Sequence, residues 1–104
     1  MRNKIAKFTA LPNDIVWVIC ECTPNSKLGH GTKYIRITKA KVDTTYLNSN
    51  GEEEFMLQTL KGIDWGDSVT NEEDNPLVFN SELEVYAHLP TYFKLNPDVD
   101  EDFE

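Results

Sequence analysis

The sequence predicts a mainly β (β+α) fold: a small, strongly bent antiparallel sheet or barrel with one short C-terminal helix. Short apolar runs rich in β-branched and aromatic residues alternate with polar turns, which is typical of strands. One turn contains Asn-Gly, and only one segment carries a helix start signal. The 104 residues suit one domain. We expect residues 1–95 to form a single β-barrel-like domain and residues 96–104 an acidic disordered tail.

The clearest strand is predicted at residues 15–23. Proline and asparagine bound this run on both sides, and its residues are apolar on both faces as far as Glu21. A strand with two apolar faces lies inside a fold, so we expect the first part of this strand to be buried. Residues 4–11 are predicted to be a partner strand.

The next two strands are predicted to form a bent hairpin. Residues 33–43 are strand-like, but their apolar face switches near Thr38, which predicts a bend or bulge there. Residues 48–51 read Asn-Ser-Asn-Gly and predict a type I′ turn. Residues 52–60 would then return as the partner strand.

The C-terminal part mixes turns with one helix. Residues 62–67 are turn-rich but contain Trp65, residues 70–76 form a polar loop, and residues 77–79 are apolar. Asn80 or Ser81 could cap a helix, and Ser81 with Glu84 fits a capping box, so a helix of about two turns is predicted to begin there and to end at Pro90. Residues 91–95 are predicted to be a last strand or an extended arm.

The order of these features resembles that of small Src-homology-3-like barrel proteins of bacteriophage and mobile elements. The matching pieces are the apolar strand of residues 14–19, the bent strand of residues 34–42, and residues 78–89 (VFNSELEVYAHL). The resemblance implies a small barrel and an accessory or inhibitory role. It supplies no catalytic residue to transfer.

Charge is distributed unevenly along the chain. The formal net charge is −8, with 18 Asp and Glu against 10 Lys and Arg, which disfavours general binding to nucleic acid. The basic residues concentrate in residues 1–48 and the acidic ones in residues 49–104. Three acidic clusters stand out, at residues 52–54, 72–74 and 98–104. They are either solvated loops or a face that binds a basic partner.

The residues with reactive side chains do not form a recognisable catalytic or metal-binding motif. Cys20 and Cys22 alternate on a strand, which is poor spacing for a disulfide or a zinc knuckle. His30 lies in a glycine loop, where it is usually exposed. The Asp98, Asp100 and Asp102 spacing lacks the glycine of a calcium loop. We therefore predict no enzymatic activity, no metal and no cofactor.

The sequence favours a non-enzymatic, small acidic protein-binding module, such as a phage or mobile-element accessory or inhibitor protein. The alternative is an acidic DNA mimic that blocks a nucleic-acid-binding host protein. The expected partner is a host or phage protein, with no direct nucleic-acid or membrane binding. The predicted partner-binding residues are Trp65, Asp64, Asp67, Glu72, Glu73 and Asp74. Trp65 is either a plug over the barrel end or an interface anchor.

A basic strand and a cytoplasmic location complete these expectations. Single-stranded nucleic acid could bind the basic strand of Lys33, Tyr34, Arg36, Lys39 and Lys41, but lysines also protect exposed strand edges, which is the favoured interpretation. No apolar run is long enough to cross a bilayer, and the first ten residues lack the apolar run of a secretory signal. We therefore expect the protein to be cytoplasmic.

Overall fold

Five strands and one helix are found in residues 8–22 and 33–101, which are the residues that the computed structural model describes. The elements are β1 (Ile15–Cys22), β2 (Tyr34–Leu47), β3 (Glu53–Gln58), β4 (Asp64–Asn71), β5 (Val78–Phe79) and α1 (Glu82–Leu95). The strands form one sheet in the order β4-β3-β2-β1-β5, and every neighbouring pair is antiparallel. The predicted mainly β class with a C-terminal helix is confirmed. The sheet is strongly bent, but it is not closed into a barrel.

Strand β1 confirms the clearest sequence prediction. It lies between β2 and β5, and each of its faces contacts a different apolar cluster, which explains why the run is apolar on both sides. The predicted partner strand at residues 4–11 is not found in its described part, since residues 8–11 are not in a strand. Residues 4–7 lie outside the described residues.

Two apolar clusters pack on opposite faces of the sheet. The first cluster consists of Ala10, Val16, Val18, Ala40, Val42, Phe55, Leu57 and Val78. The second consists of Ile19, Ile35, Phe79, Val85, Leu89, Tyr92 and Val99. Helix α1 covers the second cluster. The sheet itself curves around the first cluster. This curvature brings the Asn71 side chain, at the end of β4, into contact with Val78 of β5 on the opposite edge.

The bulge in β2 lies further along the strand than the sequence predicted. Pairing with β1 is regular through Thr38, and the register shifts between Val42 and Thr44, where β2 pairs with β3. The apolar pattern changes near Thr38 because the two halves of β2 face different clusters. Ile35 faces the second cluster and Ala40 faces the first. The apolar residues of β2 therefore change face near Thr38 without a bulge there, because one half of the strand is covered by the second cluster and the other half by the first.

The turn between β2 and β3 is located as predicted, but its predicted type is wrong. Gly51 has φ +79°, whereas Asn13 is the one non-glycine with positive φ among the described residues, so Asn50 cannot supply the second positive φ of a type I′ turn. Instead, the backbone N–H of Gly51 donates to the backbone carbonyl of Asn48 at 2.9 Å, and the backbone N–H of Asn48 donates to the backbone carbonyl of Glu52 at 2.9 Å. These bonds indicate a type I turn followed by a glycine bulge.

The turn between β3 and β4 repeats this arrangement. The Gly62 amide donates to the Thr59 carbonyl at 2.9 Å, and the Thr59 amide donates to the Ile63 carbonyl at 2.8 Å. Gly62 has φ +90°. In each turn, the side chain of the first residue accepts hydrogen bonds from two backbone N–H groups. The acceptor is the side-chain oxygen of Asn48 in one turn and the hydroxyl of Thr59 in the other. The pattern Asn/Thr-x-x-Gly therefore forms both hairpins.

We expect Gly51→Val to lower the free energy of unfolding by about 1–3 kcal/mol, because a β-branched residue resists positive φ. An added Cβ has no other atom within 4 Å, so the loss would come from backbone strain alone. Gly51→Asn is the matched control, since Asn tolerates the left-handed region and should cost much less. Urea unfolding measures both variants. Equal losses for Val and Asn would contradict the backbone explanation.

Helix α1 begins as predicted and continues past its predicted end. The Ser81 hydroxyl accepts from the Glu84 amide at 3.2 Å, which confirms the N-cap. Pro90 lies inside the helix, and residues 91–95 are helical, so the predicted terminus and last strand are wrong. Leu89 and Tyr92 are buried on either side of the proline. Their burial in the second cluster favours continuing the helix despite the hydrogen bond that proline cannot make.

Residues 96–101 also differ from the disordered tail that the sequence predicted. Val99 is 5% exposed and belongs to the second cluster. The Asp100 amide donates to the Lys33 carbonyl at 2.7 Å, and the Asp98 carboxylate lies 3.5 Å from the Lys33 ammonium. One buried valine and a contact with the start of β2 therefore hold this segment against the sheet. Residues 102–104 lie outside the described residues.

Candidate acidic binding site

One half of the sheet carries most of the negative charge. Residues 43–75, called the acidic half below, contain nine Asp and Glu residues and one lysine, Lys61. This range includes all of β3 and β4, whereas Lys33, Arg36, Lys39 and Lys41 precede the bulge in β2. The bulge therefore separates a basic stretch of β2 from an acidic end of the sheet.

The six predicted partner-binding residues do not form one patch. Asp64, Trp65 and Asp67 lie at the start of β4, and Glu72 follows its last residue. Strand geometry places the two ends of β4 roughly 20 Å apart. The other two predicted residues, Glu73 and Asp74, are exposed in the same loop as Glu72. The prediction thus combined two separate regions of the acidic half.

The pairing of β3 with β4 brings two acidic clusters of the sequence together. Glu53 pairs with Asn71, which places residues 52–53 beside the loop of residues 72–74. Between them lies a pocket of about 330 Å³, called the acidic pocket below. Its lining consists of Asn50, Gly51, Glu52, Glu53, Asn71 and Glu73. Of the predicted partner-binding residues, Glu73 lines this pocket.

Glu53 is held in place on one side of the acidic pocket. Its carboxylate accepts hydrogen bonds from the Thr9 amide and from the Thr9 hydroxyl, the latter at 2.7 Å. The Asn71 side-chain amide lies 3.4 Å from the same carboxylate. Glu73 is exposed on the other side of the pocket. The acidic pocket therefore combines a fixed carboxylate with a solvent-facing one.

Asn71 connects the two edges of the sheet and was not singled out by the sequence. It is 8% exposed, and its side-chain oxygen accepts from the Leu77 and Val78 amides, each at 2.8 Å. Its side-chain nitrogen donates to the Val78 carbonyl at 3.2 Å. Asparagine is mostly exposed in proteins, and these partners are backbone groups, so no residue pattern could reveal them.

Trp65 is half-buried against the first cluster. It lies where the register of β3 and β4 shifts, between the pairs Met56–Ser68 and Gln58–Asp64, so β4 has two extra residues there. Trp65 therefore covers part of the first cluster, but the sheet is not closed, so there is no barrel end for the predicted plug to cover. The packing does not test the interpretation of Trp65 as an interface anchor.

A group of hydrogen-bonded polar side chains surrounds Glu54, on the face of the sheet that is opposite the first cluster. The Glu54 carboxylate accepts from the Tyr46 hydroxyl at 3.1 Å and from the Ser68 hydroxyl at 2.8 Å. The Ser68 hydrogen bond is the main cause that lowers the pKa of Glu54, while the bond to Glu54 raises the pKa of Tyr46. Glu54 is therefore a stable anion between β2 and β4.

The residues considered for catalysis or metal binding are not gathered at the acidic half. Cys20 and Cys22 are half-buried free thiols, and burial raises the pKa of Cys20. His88 lies 3.2 Å from Asn75, and burial lowers the pKa of its ring. His30 lies outside the described residues. Within residues 8–22 and 33–101, no group of three or more His, Cys, Asp or Glu side chains is arranged to hold a metal ion.

A groove of about 630 Å³ runs along α1 on another part of the molecule. Its lining consists of Tyr86, Leu89, Pro90, Phe93, Lys94 and Glu101. None of these residues belongs to the acidic half. The groove is mostly apolar, and the charged residues of its lining are Lys94 and Glu101.

No family model, curated protein or solved structure matches the chain. The resemblance to Src-homology-3-like proteins therefore stays a prediction from the sequence. In the part of the chain that the structure describes, the helix is too short and too polar to cross a membrane.

Proposed function

We propose that this protein is a non-enzymatic module that binds a basic surface of another protein through its acidic half. The observation that carries the proposal is the meeting of two acidic clusters around the acidic pocket. Residues from distant parts of the sequence there present carboxylates to solvent from one end of the sheet. A basic patch on a partner is the chemical complement of such a surface.

The carboxylates of the acidic half are not neutralised within the described residues. Both ion pairs found in residues 8–22 and 33–101 belong to Lys33, which contacts Glu21 at 3.4 Å and Asp98 at 3.5 Å. Neither of these acids lies in the acidic half. Its charge is therefore available to attract a partner, since no salt bridge of the described residues uses it.

Binding suits these carboxylates better than acid–base catalysis. A catalytic acid needs a carboxyl group in a dry pocket that raises its pKa. The acidic pocket is open to solvent, with Asn50, Gly51 and Glu73 exposed at its rim. Glu54, which accepts hydrogen bonds from Ser68 and Tyr46, has a pKa below its usual value. Both features favour ionised groups that act through charge.

The proposal predicts that neutralising the acidic loop slows association with the partner. The partner would first be captured from a bacterial lysate on the immobilised protein and identified by mass spectrometry. We expect Glu72→Gln with Glu73→Gln to reduce the association rate on the order of tenfold at low salt. Dissociation should change little, because exposed charges act mainly on encounter. Stopped-flow or surface-binding kinetics measure both rates.

Glu82→Gln with Glu101→Gln is the matched control, since it removes the same charge from exposed residues outside the acidic half. Equal effects of the two double variants would show that only net charge matters and would contradict a binding role for the acidic half. If the captured protein binds DNA and duplex DNA displaces this chain from it, the partner surface is a nucleic-acid site. That result would identify the protein as a DNA mimic.

A further inference from the structure

We infer that the open edge of β4 binds an extended basic segment of the partner as an added strand. The inference rests on the proposed function and specifies how the partner is recognised. Strand addition combines main-chain hydrogen bonds to a sheet edge with side-chain contacts on both faces. Such binding needs an unpaired edge, a register that turns backbone groups outward, and side chains that select the incoming segment.

The hydrogen bonding of the β2–β3 hairpin indicates which way each residue of β3 is turned. Asn48 and Glu52 form a hydrogen-bonded pair at the turn. Backbone groups along an antiparallel strand alternate in direction, so those of Glu54 are also turned toward β2. The backbone groups of Glu53 and Phe55 are then turned toward β4.

The same alternation indicates which groups of β4 are unpaired. Asn71 pairs with Glu53 and Val69 pairs with Phe55, so the backbone groups of Asn71 and Val69 are turned toward β3. The N–H and C=O groups of Ser68 and Thr70 are therefore turned away from β3. They form the outer edge of the sheet, which is called the β4 edge below.

The described residues leave the β4 edge uncovered. β4 is the last strand in the sheet, and apart from β3 its contacts with other elements are with β5. The contact with β5 runs through the Asn71 side chain at the end of the strand. The irregular pairing ends before Ser68, so the rest of β4 is a regular strand. Ser68 is exposed to solvent, as a residue must be if a further strand is to pair with it.

The charge around the β4 edge selects a basic occupant. Asp64 and Asp67 lie on β4, and the acidic loop of residues 72–74 follows it. On the neighbouring strand β3, the Glu54 carboxylate accepts a hydrogen bond from the Ser68 hydroxyl. A second copy of this chain would bring an equally acidic edge against this one, which like-charge repulsion opposes. A segment that carries lysine or arginine is attracted instead.

The two faces beside the β4 edge predict an alternating segment. On one face, Ser68 adjoins the ionised Glu54, which favours a basic side chain from the added strand. On the other face, Val69 packs against the first cluster beside Phe55, which favours an apolar side chain. We therefore expect lysine or arginine to alternate with an apolar residue.

The test uses a capped peptide of alternating lysine and valine and the isotopically labelled full chain. Amide hydrogen exchange is measured with and without the peptide. At a free peptide concentration ten times its Kd, the Ser68 and Thr70 amides should exchange about tenfold more slowly, because the added strand accepts their hydrogens. A peptide of the same sequence that is N-methylated at every residue keeps the charge but lacks its backbone donors, whichever direction the added strand runs. It should bind more weakly and give less protection.

Ser68→Pro provides a second measurement, with Ser68→Ala as its control. Both variants lose the hydroxyl that contacts Glu54. Only proline removes the outward N–H, and proline is tolerated where a strand edge faces solvent. The alanine variant keeps the backbone N–H, so we expect it to bind the peptide nearly as tightly as the unmodified protein. We expect the proline variant to bind the peptide at least about tenfold more weakly than the alanine variant.

Several outcomes would overturn the inference and leave the proposed function standing. Equal binding of the two peptides, without protection of Ser68 and Thr70, would mean that charge alone attracts a basic chain. Slow exchange of these amides in the free protein would mean that the edge is already occupied. Protection that rises with protein concentration would identify a second copy as the occupant. If neither peptide binds at low salt, the edge does not accept a basic strand, while the capture experiment decides the proposed function independently.

Discussion

Tyr92→Ala is expected to lower the free energy of unfolding by about 3–5 kcal/mol, which is the usual cost of deleting a buried aromatic ring. Tyr92 is 2% exposed and belongs to the second cluster, between α1 and the sheet. Its hydroxyl donates to the Glu21 carboxylate on β1 at 2.9 Å, and its ring meets Phe93 edge-on. Urea unfolding followed by circular dichroism measures the loss.

Tyr92→Phe separates the ring from the hydroxyl. It keeps the packing and removes one hydrogen bond, so we expect a loss of about 1 kcal/mol. Glu21 would still have Lys33 as a partner, at 3.4 Å. If Tyr92→Ala cost no more than Tyr92→Phe, the second cluster would not depend on this ring, and α1 would be held by other contacts.

Asn71→Ala is expected to cost about 2–4 kcal/mol, because it leaves buried backbone groups without partners. The Leu77 and Val78 amides would both lose their acceptor, and the Val78 carbonyl would lose a donor. These groups link β5 to the far end of β4, so the effect should extend across the bent sheet. Urea unfolding measures the loss, and amide exchange locates it.

Asn50→Ala is the control for this prediction, since the Asn50 side chain is exposed in a turn. We expect it to change the free energy of unfolding by less than about 0.5 kcal/mol. The Leu77 and Val78 amides should exchange faster in Asn71→Ala than in the control. Unchanged exchange of both amides would show that water replaces the carboxamide and that the two sheet edges do not need it.

Local signals in the sequence predicted the elements that depend on neighbouring residues. The apolar run of β1 is continuous and bounded by prolines, and it forms a strand where expected. Ser81 caps the helix through a bond to Glu84, three residues away. Gly51 marks a turn because few other residues adopt its positive φ. In each case the deciding interaction lies within a few residues of the signal.

Distant contacts decided the features that the sequence analysis predicted wrongly. Pro90 is a local stop signal, yet the helix continues because Leu89 and Tyr92 are buried against the sheet. Val99 stands in an acidic segment, yet it is buried in the second cluster and adjoins Lys33. Burial against a surface from elsewhere in the chain outweighs propensity, and no window of neighbouring residues contains that surface.

The sequence by itself determined that this chain is acidic and mainly β, with one helix in its C-terminal part, because composition, alternation and capping signals are properties of the residues alone. Only the tertiary structure decided which acidic groups lie close together. The pairing of Glu53 with Asn71 joins two clusters of the sequence around the acidic pocket and leaves Trp65 at the far end of β4. Strand register sets these distances, and it depends on the turns and the bulge that align β2, β3 and β4.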